Sequence, residues 1–312
     1  MSIDKYLAKH NQVIILKFII FILYAGNNAI SKFLLTSSYI SSTVTIVFLQ
    51  HAIAASILTP CLLYCKQSIP RPIRSDYHIY RVALSIIGII LLNETFRHMS
   101  IAEAVGINLL GPIITLFLAY YGLNERITYE KIGLIILAIV AQLSFIGHTI
   151  SQAYSNVPWY AIISPTLVVF CFQLHTYFTK RLSVLGEHPV HLTWGVFFAI
   201  PIALAPWIEL GSLVLDYKTT TLLVIMAVNA LLAISALNHA IKLSDINVFI
   251  PLGLCKYMVV YTFDVVFFQK PPTLLHSFAM LLGCVCIFLL QNSLQRQASL
   301  SHNPGLTRPE TT

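Results

Sequence analysis

The sequence predicts an all-α membrane protein, with ten transmembrane helices arranged as two inverted five-helix repeats. Three observations lead there. Of 312 residues, 57% are hydrophobic and 10% are Asp, Glu, Lys or Arg, where a soluble domain carries about 25% charged residues. Apolar stretches of about 20 residues, the length that spans a bilayer, recur along the chain. Lys and Arg segregate to alternate ends of those stretches. A mean hydropathy of +0.79 leaves too few polar side chains to cover a water-soluble globule of this size. Soluble enzymes, disordered chains and nucleic-acid binders are excluded, and the net charge of +7 is a matter of topology rather than of phosphate binding.

The expected spans are about 13–35, 42–65, 80–98, 102–123, 129–150, 158–179, 189–208, 219–240, 246–268 and 273–292. Free backbone groups cannot be satisfied by lipid, so each span is a helix or part of a closed barrel. The runs are continuously apolar rather than alternating over about ten residues, which selects helices. Lys5 and Lys9 resemble the start of a signal peptide, but the apolar run behind them exceeds 20 residues, contains Lys17, Asn27 and Asn28, and has no small-residue cleavage site. It is expected to be an uncleaved first helix behind a short cytoplasmic segment, 1–12. Between the fifth and sixth spans the polar stretch Ser151–Pro158 divides the chain into a first half, 13–150, and a second, 158–292. The polar segment 293–312 is expected to be a disordered cytoplasmic tail.

Orientation follows from the basic residues. With ten spans, thirteen of the nineteen Lys and Arg lie on the side of the termini, from Lys5 to Arg308 and including Arg81. Four lie opposite (Lys32, Arg97, Lys218 and Lys270), and Lys17 and Lys256 fall inside spans. That bias places both termini in the cytoplasm of a cell whose inner membrane holds the chain.

Two halves of five spans invite a search for a repeat. At an offset of 145 residues, Leu123-Asn124-Glu125-Arg126-Ile127-Thr128 aligns with Phe268-Gln269-Lys270-Pro271-Pro272-Thr273. Each ends one apolar span, turns, and begins another. Gly106, Gly111 and Pro112 interrupt the fourth span, and Pro251 and Gly253 the ninth. Five is odd, so the halves insert in opposite orientations, a plan whose substrate sites lie near the midplane between repeats.

These residues resemble a known family. The stretch Ser100-Ile101-Ala102-Glu103-Ala104-Val105, then Gly111-Pro112, then Leu123 to Thr128 and Gly133 is similar to the ten-helix EamA-type branch of the drug/metabolite transporter superfamily. Asn124 stands where that family usually has Gly, Lys270 where it often has Glu, and Phe278 where it has Gly. Ala25-Gly26-Asn27-Asn28 with Lys32 resembles its first helix. The resemblance implies a carrier with alternating access, no nucleotide domain and no cofactor.

A charge at the bilayer centre costs at least about 2.5–3.5 kcal/mol, so charges inside spans are candidates for function. Lys256, mid-span in the ninth helix, is a candidate counter-charge for a substrate carboxylate, or else half of an internal ion pair with Asp264. Tyr257, Tyr261 and Asp264 share a helix face, with Asp264 a candidate proton site or an acceptor for tyrosine hydroxyls. Glu94, Arg97 and His98 form an interfacial cluster that is either a plain ion pair or a proton-sensitive gate, with Glu103 close by. Asn28, Asn108, Gln173 and Asn238 are candidate substrate contacts among amides that also serve as interhelical hydrogen-bond partners. The six cysteines read as small buried hydrophobes, without zinc spacing or a disulfide framework.

Three functions remain to be weighed. The favoured one is a secondary active transporter of a small polar metabolite, amino-acid-like or zwitterionic, coupled to protons or to exchange. A cavity with Lys256 and acidic groups suits a zwitterion or an anion better than a bulky lipophilic cation. Uptake of S-adenosylmethionine or a nucleotide-type metabolite is the alternative. An intramembrane enzyme needs clustered ligands, and only His188 and His191 stand close together. A structural membrane subunit predicts polar groups without a shared cavity. The partners implied are a small-molecule substrate and the lipid bilayer, with no nucleic acid; a homodimer is compatible with the sequence.

Overall fold

The computed structural model describes residues 3–37, 39–65, 72–107, 117–122, 159–209, 215–243 and 246–269, with isolated positions between 111 and 136 and between 278 and 285. The expected fifth and tenth spans, most of the fourth, Asn108 and the Tyr257 side chain lie outside the described residues. All regular structure within them is helical.

The helices are α1 (Ile3–Thr36), α2 (Thr43–Tyr64), α3 (Ser75–His98), α4 (Ile101–Ile107), α5 (Trp159–Val184), α6 (Pro189–Leu204), α7 (Tyr217–Leu243) and α8 (Ile246–Phe268). Segments Asn11–Thr36, Thr43–Tyr64, Ser75–His98, Pro189–Trp207 and Tyr217–Leu243 are each long and apolar enough to cross a membrane. The third begins five residues earlier than the sequence suggests, which carries Arg81 from the edge of the expected span to a fully buried place within α3. The ninth span is also corrected: α8 runs through Pro251 and Gly253 without a break. Pro60, Pro165 and Pro201 likewise lie inside helices, as membrane helices tolerate when neighbours satisfy the freed carbonyls.

Local chemistry sets the helix ends. The Ser42 hydroxyl accepts from Thr45 N at 3.3 Å and starts α2. Ser100 and Glu103 form a reciprocal capping box on α4: Ser100 Oγ accepts from Glu103 N at 3.2 Å, and Glu103 Oε2 from Ser100 N at 2.6 Å. His188 Nδ1 accepts from Val190 N at 3.4 Å, with Pro189 in the first helical position of α6. Asp216 Oδ1 accepts from Thr219 N at 3.2 Å and opens α7.

Packing is pairwise and close, with α3 running along α5, α1 along α7 and α8, and α2 along α6 and α7. Gly88 permits the α3–α5 approach, since a Cβ there would sit 3.0 Å from the Phe172 ring. The surface is inverted relative to a soluble protein. On α1, Ile15, Phe18, Ile19 and Ile22 form an exposed apolar face, while Lys17, Asn27, Asn28 and Ser31 are buried. Cys61 and Cys65 are exposed on α2, contrary to the expectation that all cysteines are interior, whereas Cys171 is buried.

Candidate functional site

The buried polar faces meet around one cavity of about 280 Å³. α1 contributes a stripe with spacing three and four, Lys17, Ile20, Phe21, Tyr24, Asn27, Asn28 and Ser31, which is one face of a helix. Gln50 and His51 come from α2, Ser85 and Asn93 from α3, Phe172, Gln173, His175 and Thr176 from α5, and Lys256 from α8. α7 closes the cavity with apolar Met226, Ala230, Ile234 and Leu237. Small-molecule sites run from about 300 to 1,000 Å³ and are mostly apolar with a few placed polar groups, so this space suits one compact solute.

Several wall groups are held in place from behind. Ser31 Oγ donates to Asn93 Oδ1 at 2.8 Å, joining α1 to α3. His51 Nδ1 lies 2.8 Å from its own helix's Val47 carbonyl and donates to it. Ser85 Oγ and His175 Nδ1 are 2.7 Å apart, and the Arg81 carbonyl is 3.2 Å from the same nitrogen. Gly111 leaves room for Gln173, whose amide a Cβ at that position would strike. Other atoms on the wall lack partners: Asn27 Oδ1, His51 Nε2 and Asn93 Nδ2 are buried without a hydrogen bond. Leaving such groups unpaired costs about 1–3 kcal/mol each, an expense expected where a ligand supplies the missing partner.

Lys256, Asn28 and Gln173 are brought together on this wall. The other expected site residues with described side chains are not on it. Asn238 is buried between α6 and α7, where its Nδ2 donates to Thr193 Oγ1 at 2.9 Å. Asp264 Oδ2 accepts from Ala102 N at 2.6 Å, tying α8 to the start of α4. Glu103 serves the capping box beside it. Glu94 pairs with Arg97 at 3.1 Å and with His98 at 3.8 Å at the far end of α3. Those two acid–base contacts edge a separate cleft with Tyr160, whose hydroxyl is 3.4 Å from His98 Nε2.

The sequence reading missed Lys17, Tyr24, Ser31, Gln50, His51, Ser85 and Asn93 as wall residues. It also missed an ionic cluster at the opposite end of α3. There Arg81 donates to the Leu192 carbonyl at 2.9 Å and feels the charge of Glu187, itself buried. His78 Nε2 lies 3.2 Å from Glu187 Oε1, and Ile73 N donates to Glu187 Oε2 at 3.4 Å.

Comparison with known proteins agrees with the motif resemblance. Residues 11–146 match the EamA-like transporter family. A riboflavin transporter of Brucella anthropi is 24% identical over 193 residues. That alignment covers 60% of this chain and spans 64% of the relative's length. A protein of known crystal structure shares the fold with a TM-score of 0.66 and 13% identity, over 89% of this chain and 98% of its own. The match over residues 11–146 and the five apolar helices support a multi-pass membrane protein.

Proposed function

Proceeding from the EamA-like transporter region at residues 11–146, we propose that the protein is a secondary carrier. It moves a small polar metabolite across the inner membrane by alternating access, coupled to protons or to exchange. The observation that carries this reading is the cavity of about 280 Å³, walled by polar side chains from five helices, several of them with a buried atom that makes no hydrogen bond. A structural subunit has no reason to leave Asn27, His51 and Asn93 unsatisfied around one shared space.

In this proposal Lys256, Asn28 and Gln173 contact the cargo. Segments 13–150 and 158–292 are the two inverted five-helix repeats, both termini are cytoplasmic, and 293–312 is a tail. The segregation of thirteen against four basic residues supports the orientation. A flavin is a second cargo reading. The Brucella anthropi relative favours it, and Phe21, Tyr24 and Phe172 give the wall aromatic surface.

The test is flux into proteoliposomes. Purified full-length protein meets a pool of labelled amino acids, S-adenosylmethionine, nucleosides, carboxylated heterocycles and riboflavin, with and without an inward-acid pH gradient. Saturable movement of a pooled compound is expected. No movement of any of them by folded protein contradicts the carrier reading.

A further inference from the structure

The charge class of the cargo follows from what the cavity wall holds and what it lacks. This inference rests on the carrier reading above and narrows it. Among the described lining residues there are two ammonium groups, Lys17 and Lys256, and no carboxylate. The acids that the sequence offered as partners are engaged elsewhere: Asp264 with Ala102 N, Glu103 with Ser100 N, and Glu94 with Arg97 and His98. Among the described residues Lys256 makes no hydrogen bond and no ion pair. An ammonium held inside a span without a counter-charge is costly. An anionic cargo offsets that cost, a zwitterion brings a second ammonium that meets no carboxylate among the described lining residues, and a cation adds repulsion.

The neutral part of the wall specifies more. His51 Nδ1 donates to the Val47 carbonyl, so Nε2 carries the lone pair and accepts. Asn93 Oδ1 is taken by Ser31, which leaves Nδ2 to donate. Asn27 Oδ1 is a further acceptor, and all three atoms are buried without a partner. Two acceptors and one donor therefore lie unpartnered on residues that line the cavity. They call for a solute with N–H or O–H donors and a carbonyl-type acceptor.

We infer that the cavity takes a small organic anion, a carboxylated heterocycle in its chemistry. Its carboxylate meets Lys256, and its N–H and C=O edge meets Asn27, His51 and Asn93. The first acceptors and donors of this reading lie on three different helices, so the cargo itself completes the interface between α1, α2 and α3.

Acid and amide forms of the same ring isolate the charge. Thermal unfolding of the purified full-length protein is followed with orotate against orotamide, and nicotinate against nicotinamide, in the wild type and in Lys256→Gln. The acids are expected to raise the wild-type midpoint and the amides not to. Lys256→Gln should unfold normally without ligand and bind the acids about tenfold more weakly or worse. Equal effects of acid and amide, equal effects of the acids on both proteins, or no effect of any acid would overturn the inference. The flux assay separates this from the carrier reading. Transport of a neutral or zwitterionic compound that Lys256→Gln leaves unchanged overturns the anion assignment and keeps the carrier. Transport of acids that fails in Lys256→Gln supports both.

Discussion

The chain handles buried polarity in two opposite ways at two levels of α3. Near its start, Arg81, His78 and Glu187 are gathered so that base meets acid across the α5–α6 turn. Further along, Asn93 bonds Ser31 with one atom and leaves the other bare beside a cavity, as do Asn27 and His51. Burial is similar in both places. What differs is the counter-charge: Glu187 supplies one at the first end, where Arg81 Nε and Nη1 nevertheless lack hydrogen bonds, while the second end has unpartnered amide and imidazole atoms on residues that line a cavity. The two regions should therefore fail differently when cut.

The largest effect belongs to the paired end. Glu187→Ala removes the buried carboxylate that faces half-buried His78 and whose charge acts on fully buried Arg81, which costs about 3–5 kcal/mol. A large fall in the thermal midpoint of the purified protein is expected, and an unchanged midpoint would break the comparison. Asn93→Leu is the converse. It leaves the buried Ser31 hydroxyl without its acceptor, about 1–3 kcal/mol, so folding survives while cargo flux falls about tenfold or more. Flux at the wild-type level would remove Asn93 from the site. Glu94→Gln is smaller still. Glu94 and Arg97 are about one-third exposed, and such pairs contribute under about 1 kcal/mol. Neither the midpoint nor flux at neutral pH should move appreciably, and a collapse of either would show that the pair is more than a surface contact.

The smallest expected effect concerns pH. Partial burial, with Lys242, His191 and His239 nearby, lowers the His188 pKa below its ordinary value. The neutral ring is the form that caps α6 through Val190 N. Its contribution is complete above the ordinary histidine pKa of about 6.5 and is lost as pH falls below that through the lower folded value. Hydrogen exchange over 188–192 should quicken at pH 5, relative to the intrinsic rate, in the wild type. In His188→Asn the dependence should vanish, and a dependence that persists would assign it to another group.

Much of the helical plan was legible because insertion depends on local composition, and local composition is what an apolar run displays. The ends of α2, α6, α7 and α8 fall close to the expected spans. Arg81 was counted with the basic residues at the cytoplasmic edge because a buried arginine cannot be told from a boundary arginine without its hydrogen-bond partner, the Leu192 carbonyl 111 residues later. The site was legible in part. Lys256 declared itself as a charge amid apolar residues, and Asn28 and Gln173 as amides in apolar spans. The Lys17–Tyr24–Asn27–Ser31 stripe was present as helical spacing, yet its small and aromatic members carry no individual signal. Asp264 drew attention as a possible proton site, but its contact with Ala102 joins residues 162 apart and is invisible locally. His51 could have been found as a lone imidazole in an apolar run, and its free nitrogen only from the structure.

If cargo binds at this polar wall, changing Lys256 should stop flux without unfolding the protein. Lys256→Ala tests it most directly, with flux and thermal unfolding measured on one reconstituted preparation. Flux should be abolished while insertion and the unfolding midpoint are kept or improved, because removing a half-buried ammonium without a counter-charge relieves the fold. Flux at the wild-type level, or a loss of flux explained by a loss of folded protein, would contradict it.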